Sequence, residues 1–240
     1  MKNFIIDIGN SRIKAGLFEK DKLEMEWTLT DLDALKNLSS TLSFERAMIS
    51  SVKWDQEELE EGLNFPFTWF NHDLKLPITN VYKSPSTLGL DRIAAAVGLA
   101  FFNPGGESLG IDMGTCITYE FLDGETIYRG GGISPGVSMR FKAMHSFTSR
   151  LPLVGLASEP PVLVGATTEE CMQSGVFFGV MGEIHYTVER YRKDYPDLKV
   201  YICGGDAPYF ESLTKDYIFV IPNLVLYGLN RILTYNVSIP

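Results

Sequence analysis

The sequence predicts an α/β protein of two duplicated lobes, residues 1–106 and 107–240. Three features of the chain point there. Phe4-Ile5-Ile6 leads into Asp7, Gly9, Asn10 and Ser11, and Leu109-Gly110-Ile111 leads into Asp112, Gly114 and Thr115. Twice, then, an apolar strand delivers an aspartate to a glycine turn, where the backbone can approach an oxyanion closely. In each lobe the segments follow in roughly one order, strand, strand, strand, helix, strand, helix, with the turn after the first strand. Between the two trains stands Asn103-Pro104-Gly105-Gly106, a run that ends a helix and marks a boundary.

In the first lobe Phe4–Ile8 is a compact apolar strand, Ile13–Phe18 its hairpin partner and Leu23–Leu29 a third strand. Thr30 or Asp31 caps a helix that runs to Leu38. Arg46–Val52 is a strand, and Asp55–Leu63 is a helix whose glutamates form a solvated face. Phe65, Phe67 and Trp69 alternate as a half-buried strand. Pro77, Pro85 and Gly89 punctuate a loop before a helix over Asp91–Phe102, whose Ala94-Ala95-Ala96 run permits close packing.

In the second lobe Ser108–Asp112, Cys116–Leu122 and Thr126–Ile133 are strands, with Asp123-Gly124 as the turn between the last two. Ser134-Pro135-Gly136 opens a helix to Phe147, with Pro135 suited to its first turn. A long helix over Thr167–Tyr191 follows, then a strand at Lys199–Cys203 and a helix at Asp206–Leu213. Ile218–Val220 is a strand and Asn223–Tyr235 a final helix.

Composition excludes several functions. A net charge of −9 argues against a nucleic-acid surface, which needs a basic face to neutralise phosphates. It leaves room for a small phosphate ligand, which needs only a few cations and aimed N–H groups. Cys116, Cys171 and Cys203 are far apart, odd in number and without a C-x-x-C pair, as expected of a reduced, cytoplasmic chain. The apolar run at the N-terminus is too short for a signal peptide, and no stretch approaches the roughly 20 apolar residues of a membrane span. His72, His145 and His185 lack metal-ligand spacing. No G-x-S-x-G elbow, Walker A loop or G-x-G-x-x-G is present, which lowers hydrolase, P-loop and Rossmann readings.

The turns carry the candidate chemistry. In Asp7-Ile8-Gly9-Asn10-Ser11-Arg12-Ile13-Lys14, Gly9 to Ser11 can present N–H groups to a terminal phosphate. Lys14 can add a point charge, and Asp7 suits a hydrated divalent cation rather than phosphate itself. The other reading is an ordinary hairpin. In the second turn Thr115 can donate to a phosphate oxygen and Asp112 can ligate a cation, or Asp112 can simply cap its own turn. Gly130-Gly131-Gly132 weakens any regular strand, so either a flat ligand approaches there or the strand bends sharply. Asp91 and Arg92 open a helix just after Gly89. Asp91 suits a cap or a general base, while Arg92 opposes the helix dipole unless an anion faces it. Gly165-Ala166-Thr167-Thr168-Glu169-Glu170 is a capped helix start with Thr167 or Thr168 as the cap. Cys203-Gly204-Gly205-Asp206 follows a strand as a further loop on the nucleotide side.

Two lobes with equivalent phosphate loops flanking a nucleotide cleft is the arrangement of the actin, hexokinase and Hsp70 superfamily of ribonuclease H-like folds, a likeness of fold only. At six motifs the chain resembles the type III pantothenate kinases: Asp7-x-Gly9-Asn10-Ser11, Gly89-x-Asp91-Arg92, Asp112-x-Gly114-Thr115, Gly131-Gly132-Ile133-x-Pro135-Gly136, Leu151-Pro152 after Thr148, and Gly165-x-x-Thr168 before Ser174-Gly175. Thr167 departs from the asparagine that many members carry there. The resemblance implies ATP-dependent phosphorylation of pantothenate to 4'-phosphopantothenate, the first step toward coenzyme A. It implies a cytoplasmic homodimer without nucleic-acid or membrane partners, using Mg2+ and a monovalent cation, K+ or NH4+. Position by position, Asp91 looks like the catalytic base and Arg92 the clamp on the substrate carboxylate. Tyr82, Gly89, Leu90 and Thr168 look like substrate contacts. Asp7, Ile8, Gly9, Asn10, Ser11, Arg12, Ile13, Lys14 and Thr115 look like the ATP site, and Asp112 the monovalent-cation ligand. The alternatives are another small-molecule kinase of the superfamily, or a non-catalytic regulatory protein that keeps the fold.

Overall fold

The computed structural model describes residues 1–213 and 217–238. Its strands and helices, in chain order, are β1 (Lys2–Ile8), β2 (Ile13–Glu19), β3 (Lys22–Leu29), α1 (Leu32–Thr41), β4 (Arg46–Ser51), α2 (Gln56–Gly62), β5 (Thr68–Trp69), β6 (Thr79–Asn80), α3 (Leu90–Phe102), β7 (Ser108–Met113), β8 (Cys116–Leu122), β9 (Ile127–Pro135), α4 (Val137–Ser146), α5 (Thr168–Asp194), β10 (Lys199–Cys203), β11 (Ile218–Val220) and α6 (Leu224–Ser238). The chain forms two compact units. The first takes Met1–Pro104, Thr126–Tyr128 and the chain from Asn223 onward; the second takes Gly105–Glu125 and Arg129–Pro222.

The first unit is built on a sheet of order β3-β2-β1-β4-β5. β1 is antiparallel to β2 and parallel to β4, and β4 is parallel to β5. Phe4, Ile6 and Ile8 of β1 point to one face, where they meet Ile13, Ala15 and Leu17 of β2, Leu35 of α1 and Leu59 of α2. The two helices start where the sequence says they should. Asp31 accepts from the Ala34 N–H at 2.8 Å, and Asp55 and Glu58 form a reciprocal capping box. On the same unit α3 lies against α6 with almost no space between backbones. A Cβ on Gly228 would sit 1.8 Å from the Ala94 carbonyl oxygen, and one on Gly98 would sit 2.5 Å from that of Leu224. The alanine run of α3 thus serves the close packing expected of it, and its partner is the last helix of the chain. Thr79 and Asn80 of β6 pair in parallel with Ile127 and Tyr128, which belong to this unit.

The second unit repeats the plan, with strands in the order β9-β8-β7-β10-β11. β7 is antiparallel to β8 and parallel to β10, which is parallel to β11. The duplication read from segment order is therefore also a duplication of sheet topology. Leu109, Ile111, Met113, Ile117 and Tyr119 from the strands pack against Val137 and Phe141 of α4 and Val176, Phe177, Val180 and Ile184 of α5.

Four local expectations change. The strand expected through Phe65, Phe67 and Trp69 shrinks to Thr68–Trp69, although all three aromatics do pack against the first core. Alternation alone does not supply a neighbouring strand to pair with. Residues Ala207–Leu213 form a 3-10 segment in place of an α-helix. Pro135 ends β9 and Gly136 caps α4, so the proline is not in the helix's first turn. The final helix, which a division at 106/107 assigns to the second lobe, packs in the first unit, where Gly228 lies against the backbone of Ala94 and Gly98 in α3.

Candidate active site

In the first unit Asp7 is the penultimate residue of β1, half-buried and directly opposite Lys14 of β2. The turn beyond it is closed by a hydrogen bond from the Gly9 N–H to the Arg12 carbonyl, 3.0 Å. Asn10, Ser11 and Arg12 are exposed at its tip. Ile8 and Ile13 turn their side chains wholly into the core, so only their backbone can face a ligand.

The same unit holds the start of α3. Gly89 is its N-cap and offers no side chain to cap with. The Asp91 carboxylate accepts from the Arg92 N–H at 2.8 Å, satisfying one of the helix's orphan donors. Asp91 is exposed and Arg92 buried. The Arg92 guanidinium lies 5.8 Å from the centre of the Tyr82 ring, and Tyr82 in turn stacks on Tyr128 with centroids 6.2 Å apart. A Cβ on Gly89 would lie 2.5 Å from Asp91 Oδ1, so a side chain there would displace the Asp91 carboxylate. Leu90 is half-buried beside it. His72 binds the Leu88 carbonyl at 2.8 Å through Nε2, a structural role.

In the second unit Asp112 is the penultimate residue of β7, opposite Thr118 of β8 and level with Cys203 of β10. The turn closes with the Gly114 N–H donating to the Cys116 carbonyl, 3.0 Å, and leaves Thr115 exposed. Because β10 runs parallel to β7, the Cys203–Asp206 loop arrives beside Asp112. The Asp206 N–H donates to the Met113 carbonyl at 2.9 Å. Gly204 has φ +96°, and a Cβ on it would stand 2.5 Å from Asp112 Oδ1. On the other side, the Gly136 N–H donates to the Thr115 carbonyl at 3.2 Å. Thr168 is the first residue of α5 and exposed. Thr167 takes the cap, accepting from the Glu170 N–H while Glu170 reaches back, so the Thr168 hydroxyl is left outside the capping box.

The triple glycine serves the sheet itself. Gly130 has φ +99°, and a Cβ on Gly131 would lie 1.6 Å from the Tyr119 carbonyl oxygen. Neighbouring backbone occupies the space in which sequence reasoning left room for a flat ligand.

Two features escaped the sequence. Tyr128 backs Tyr82, a pairing visible only once β6 lies beside β9. Glu183 of α5 accepts from Tyr119 at 2.8 Å, from Ser134 at 2.5 Å and from Arg140, residues 64, 49 and 43 positions away. Burial alone would raise the Glu183 pKa. The hydrogen bonds from Ser134, Arg140 and Tyr119 outweigh it and hold the carboxyl below its ordinary value. Burial and the same carboxylate push the Tyr119 phenol up. A cavity of about 780 Å³ beside Glu107, Phe121, Asp123, Tyr191 and Tyr195 lies at the other end of β7 and β8 from Asp112 and Thr115.

Among the described residues no three His, Cys, Asp or Glu side chains gather as a metal site. Magnesium held by one carboxylate and the phosphates of a nucleotide needs none, and the half-buried carboxylates at the strand ends, Asp7 and Asp112, are oxygen donors of the kind a hard cation takes. No described helix is long and apolar enough to cross a membrane.

The duplicated sheet plan is shared with solved structures. A Campylobacter jejuni protein crystallised as a conserved member of the Baf family superposes with a TM-score of 0.66 at 21% identity, over 98% of this chain and 100% of that one. A ROK hexokinase from Thermus thermophilus does so at 0.51 and 14%, over 97% and 98%. At these identities the likeness is one of fold, and it defines the class: a mixed α/β chain with two duplicated sheets, folded like these structures.

The chain belongs to the type III pantothenate kinase family, whose model matches residues 3–190. It is 44% identical over 240 residues to the type III pantothenate kinase of Cytophaga hutchinsonii, covering 98% of this chain and 100% of that protein. It is 42% identical over 239 residues to that of Phocaeicola vulgatus, covering 98% of each.

Proposed function

We infer that this protein transfers the γ-phosphoryl group of ATP to the primary hydroxyl of pantothenate, giving 4'-phosphopantothenate and ADP at the entry to coenzyme A synthesis. Family membership over nearly the whole chain carries the reading. Phosphoryl transfer asks mainly for positioning and charge neutralisation, which suits turns and helix starts better than a nucleophilic triad.

Asp91 is the base. Its carboxylate is exposed, stands at a helix start where the dipole favours the anion, and is aimed by the Arg92 N–H. It takes the hydroxyl proton as the new O–P bond forms and the bond to the ADP oxygen breaks. Arg92 clamps the pantothenate carboxylate, with the Tyr82 ring beside its guanidinium and Tyr128 behind that ring. Gly89 and Leu90 shape the same corner, and the Thr168 hydroxyl is a further substrate contact. The Gly9–Arg12 turn, Lys14 and Thr115 hold the nucleotide phosphates through N–H, hydroxyl and ammonium donors. Asp7 would hold Mg2+ and Asp112 a monovalent cation; bound there, such ions neutralise phosphate charge. A homodimer is supported by the exposed apolar side chains of Phe147, Leu153, Val162, Leu163 and Val164. Free cysteines support a reducing, cytoplasmic setting.

The test is an ADP-release assay with pantothenate, run with and without K+. Pantothenate-dependent ADP that rises with K+ is expected. ADP release that ignores pantothenate would remove the function, and release indifferent to K+ or NH4+ would remove the role given to Asp112.

A further inference from the structure

We propose that Glu183 is a positioning residue for nucleotide binding: it holds the β9–α4 junction against which the Thr115 turn is built. The proposal rests on the assignment of Thr115 to the nucleotide phosphates. Glu183, on α5, gathers donors from three other elements. Tyr119 of β8 donates to Oε1 at 2.8 Å, Ser134 of β9 to the same oxygen at 2.5 Å, and Arg140 of α4 to Oε2 through Nη2. Arg140 also donates through Nε to the Pro135 carbonyl at 2.9 Å. Residues on both sides of Gly136 are therefore held by one carboxylate.

Gly136 is the link to the turn. Its N–H donates to the Thr115 carbonyl at 3.2 Å. The Cβ it lacks would stand 2.3 Å from the Gly114 oxygen and 2.5 Å from that of Thr115. Backbone touches backbone there with no side chain to absorb a shift, so moving the junction moves the turn. Both oxygens accept here, and the negative charge faces the Arg140 guanidinium. Glutamine keeps one acceptor oxygen: turned to the guanidinium, it sets its NH2 on the Tyr119 and Ser134 hydroxyls, which must reverse from donors to acceptors, and it loses the charge that pairs with Arg140.

The experiment compares the full-length wild type with Glu183→Gln, Arg140→Gln and Thr115→Ala. ADP binding is read by calorimetric titration without pantothenate, and KM for each substrate by steady-state kinetics. Glu183→Gln and Arg140→Gln are each expected to weaken ADP binding and raise KM for ATP by on the order of tenfold, with KM for pantothenate held within about twofold. The double variant is expected to be no worse than the poorer single one, since the two changes break one contact. A lowered melting temperature with unaltered ADP affinity would make the cluster purely structural and overturn the proposal. An equal rise in both KM values would do the same. If Thr115→Ala leaves ADP affinity unchanged, the phosphate assignment of Thr115 fails and the proposal with it. If Thr115→Ala weakens ADP binding while Glu183→Gln and Arg140→Gln do not, the proposal alone fails. Arg140→Gln carries the test where Glu183→Gln does not fold.

Discussion

Asp7 and Asp112 occupy the same place in two copies of one sheet plan. Each is the penultimate residue of its unit's first strand, each strand is flanked by an antiparallel hairpin partner and a parallel strand, and each is followed by a turn closed on its own glycine N–H. A strand end delivers a carboxylate to the sheet edge without burying it, which suits a hard cation or a turn cap alike. Their surroundings differ: Lys14 lies opposite Asp7, whereas the missing Cβ of Gly204 would stand 2.5 Å from Asp112 Oδ1.

Replacing Asp91 by asparagine is expected to leave the fold intact and lower turnover by about 10²-fold or more, the usual scale for losing a general base. The amide oxygen can still accept from the Arg92 N–H, so α3 keeps its first turn. Turnover measured at saturating ATP and pantothenate decides the matter, and a rate near that of wild type would take Asp91 out of the role.

Arg92→Ala is expected to raise KM for pantothenate by at least about tenfold, the cost of losing a charge-assisted hydrogen bond, with a smaller effect on KM for ATP. Because Arg92 is buried, the variant also leaves a gap beside Tyr82. Circular dichroism and the melting temperature separate that loss from the kinetic one. An unchanged pantothenate KM in a folded variant removes the carboxylate clamp.

Gly228→Ala is expected to destabilise the protein by about 1–3 kcal/mol, the range for overpacking a close contact. The added methyl would fall 1.8 Å from the Ala94 carbonyl oxygen, which is backbone and cannot rotate away. Chemical denaturation measures the cost, and an unchanged midpoint would contradict the α3–α6 packing. Gly204→Ala is expected to lose stability as well, through the φ of +96° and a methyl 2.4 Å from the Met113 carbonyl oxygen, at about 1–3 kcal/mol.

The Glu183 carboxyl sits below its ordinary value in the folded state, so it contributes stability above that ordinary value, and the contribution is lost as pH falls through the lower, folded one. The window therefore opens below about pH 4.3, the reference value for glutamate. Stability followed from pH 6 downward is expected to fall less steeply in Glu183→Gln than in the wild type. Parallel slopes would show that the carboxylate is not held by its three donors.

Much of the architecture was legible because it is local. Short apolar runs bounded by turn residues marked β1, β2, β7, β8 and β10, and Thr30-Asp31 announced the start of α1. The candidate residues Asp7, Asp91, Arg92, Asp112, Thr115 and Thr168 also stood out, since turn chemistry and helix starts are short-range features. The short strand at Thr68–Trp69 was overread, because whether an alternating segment pairs depends on a neighbour that the segment does not contain.

By itself, then, the sequence determined two trains of strands and helices, an aspartate at each first turn and membership of the type III pantothenate kinases. These follow from hydrophobic period, turn residues and motif order, all properties of contiguous chain. Tertiary structure alone decided that α6 closes on α3, that Gly131 yields its side-chain space to Tyr119, and that Glu183 joins Tyr119, Ser134 and Arg140. Each is a contact between residues a dozen to more than a hundred positions apart, and packing in three dimensions, not spacing along the chain, sets which of them meet.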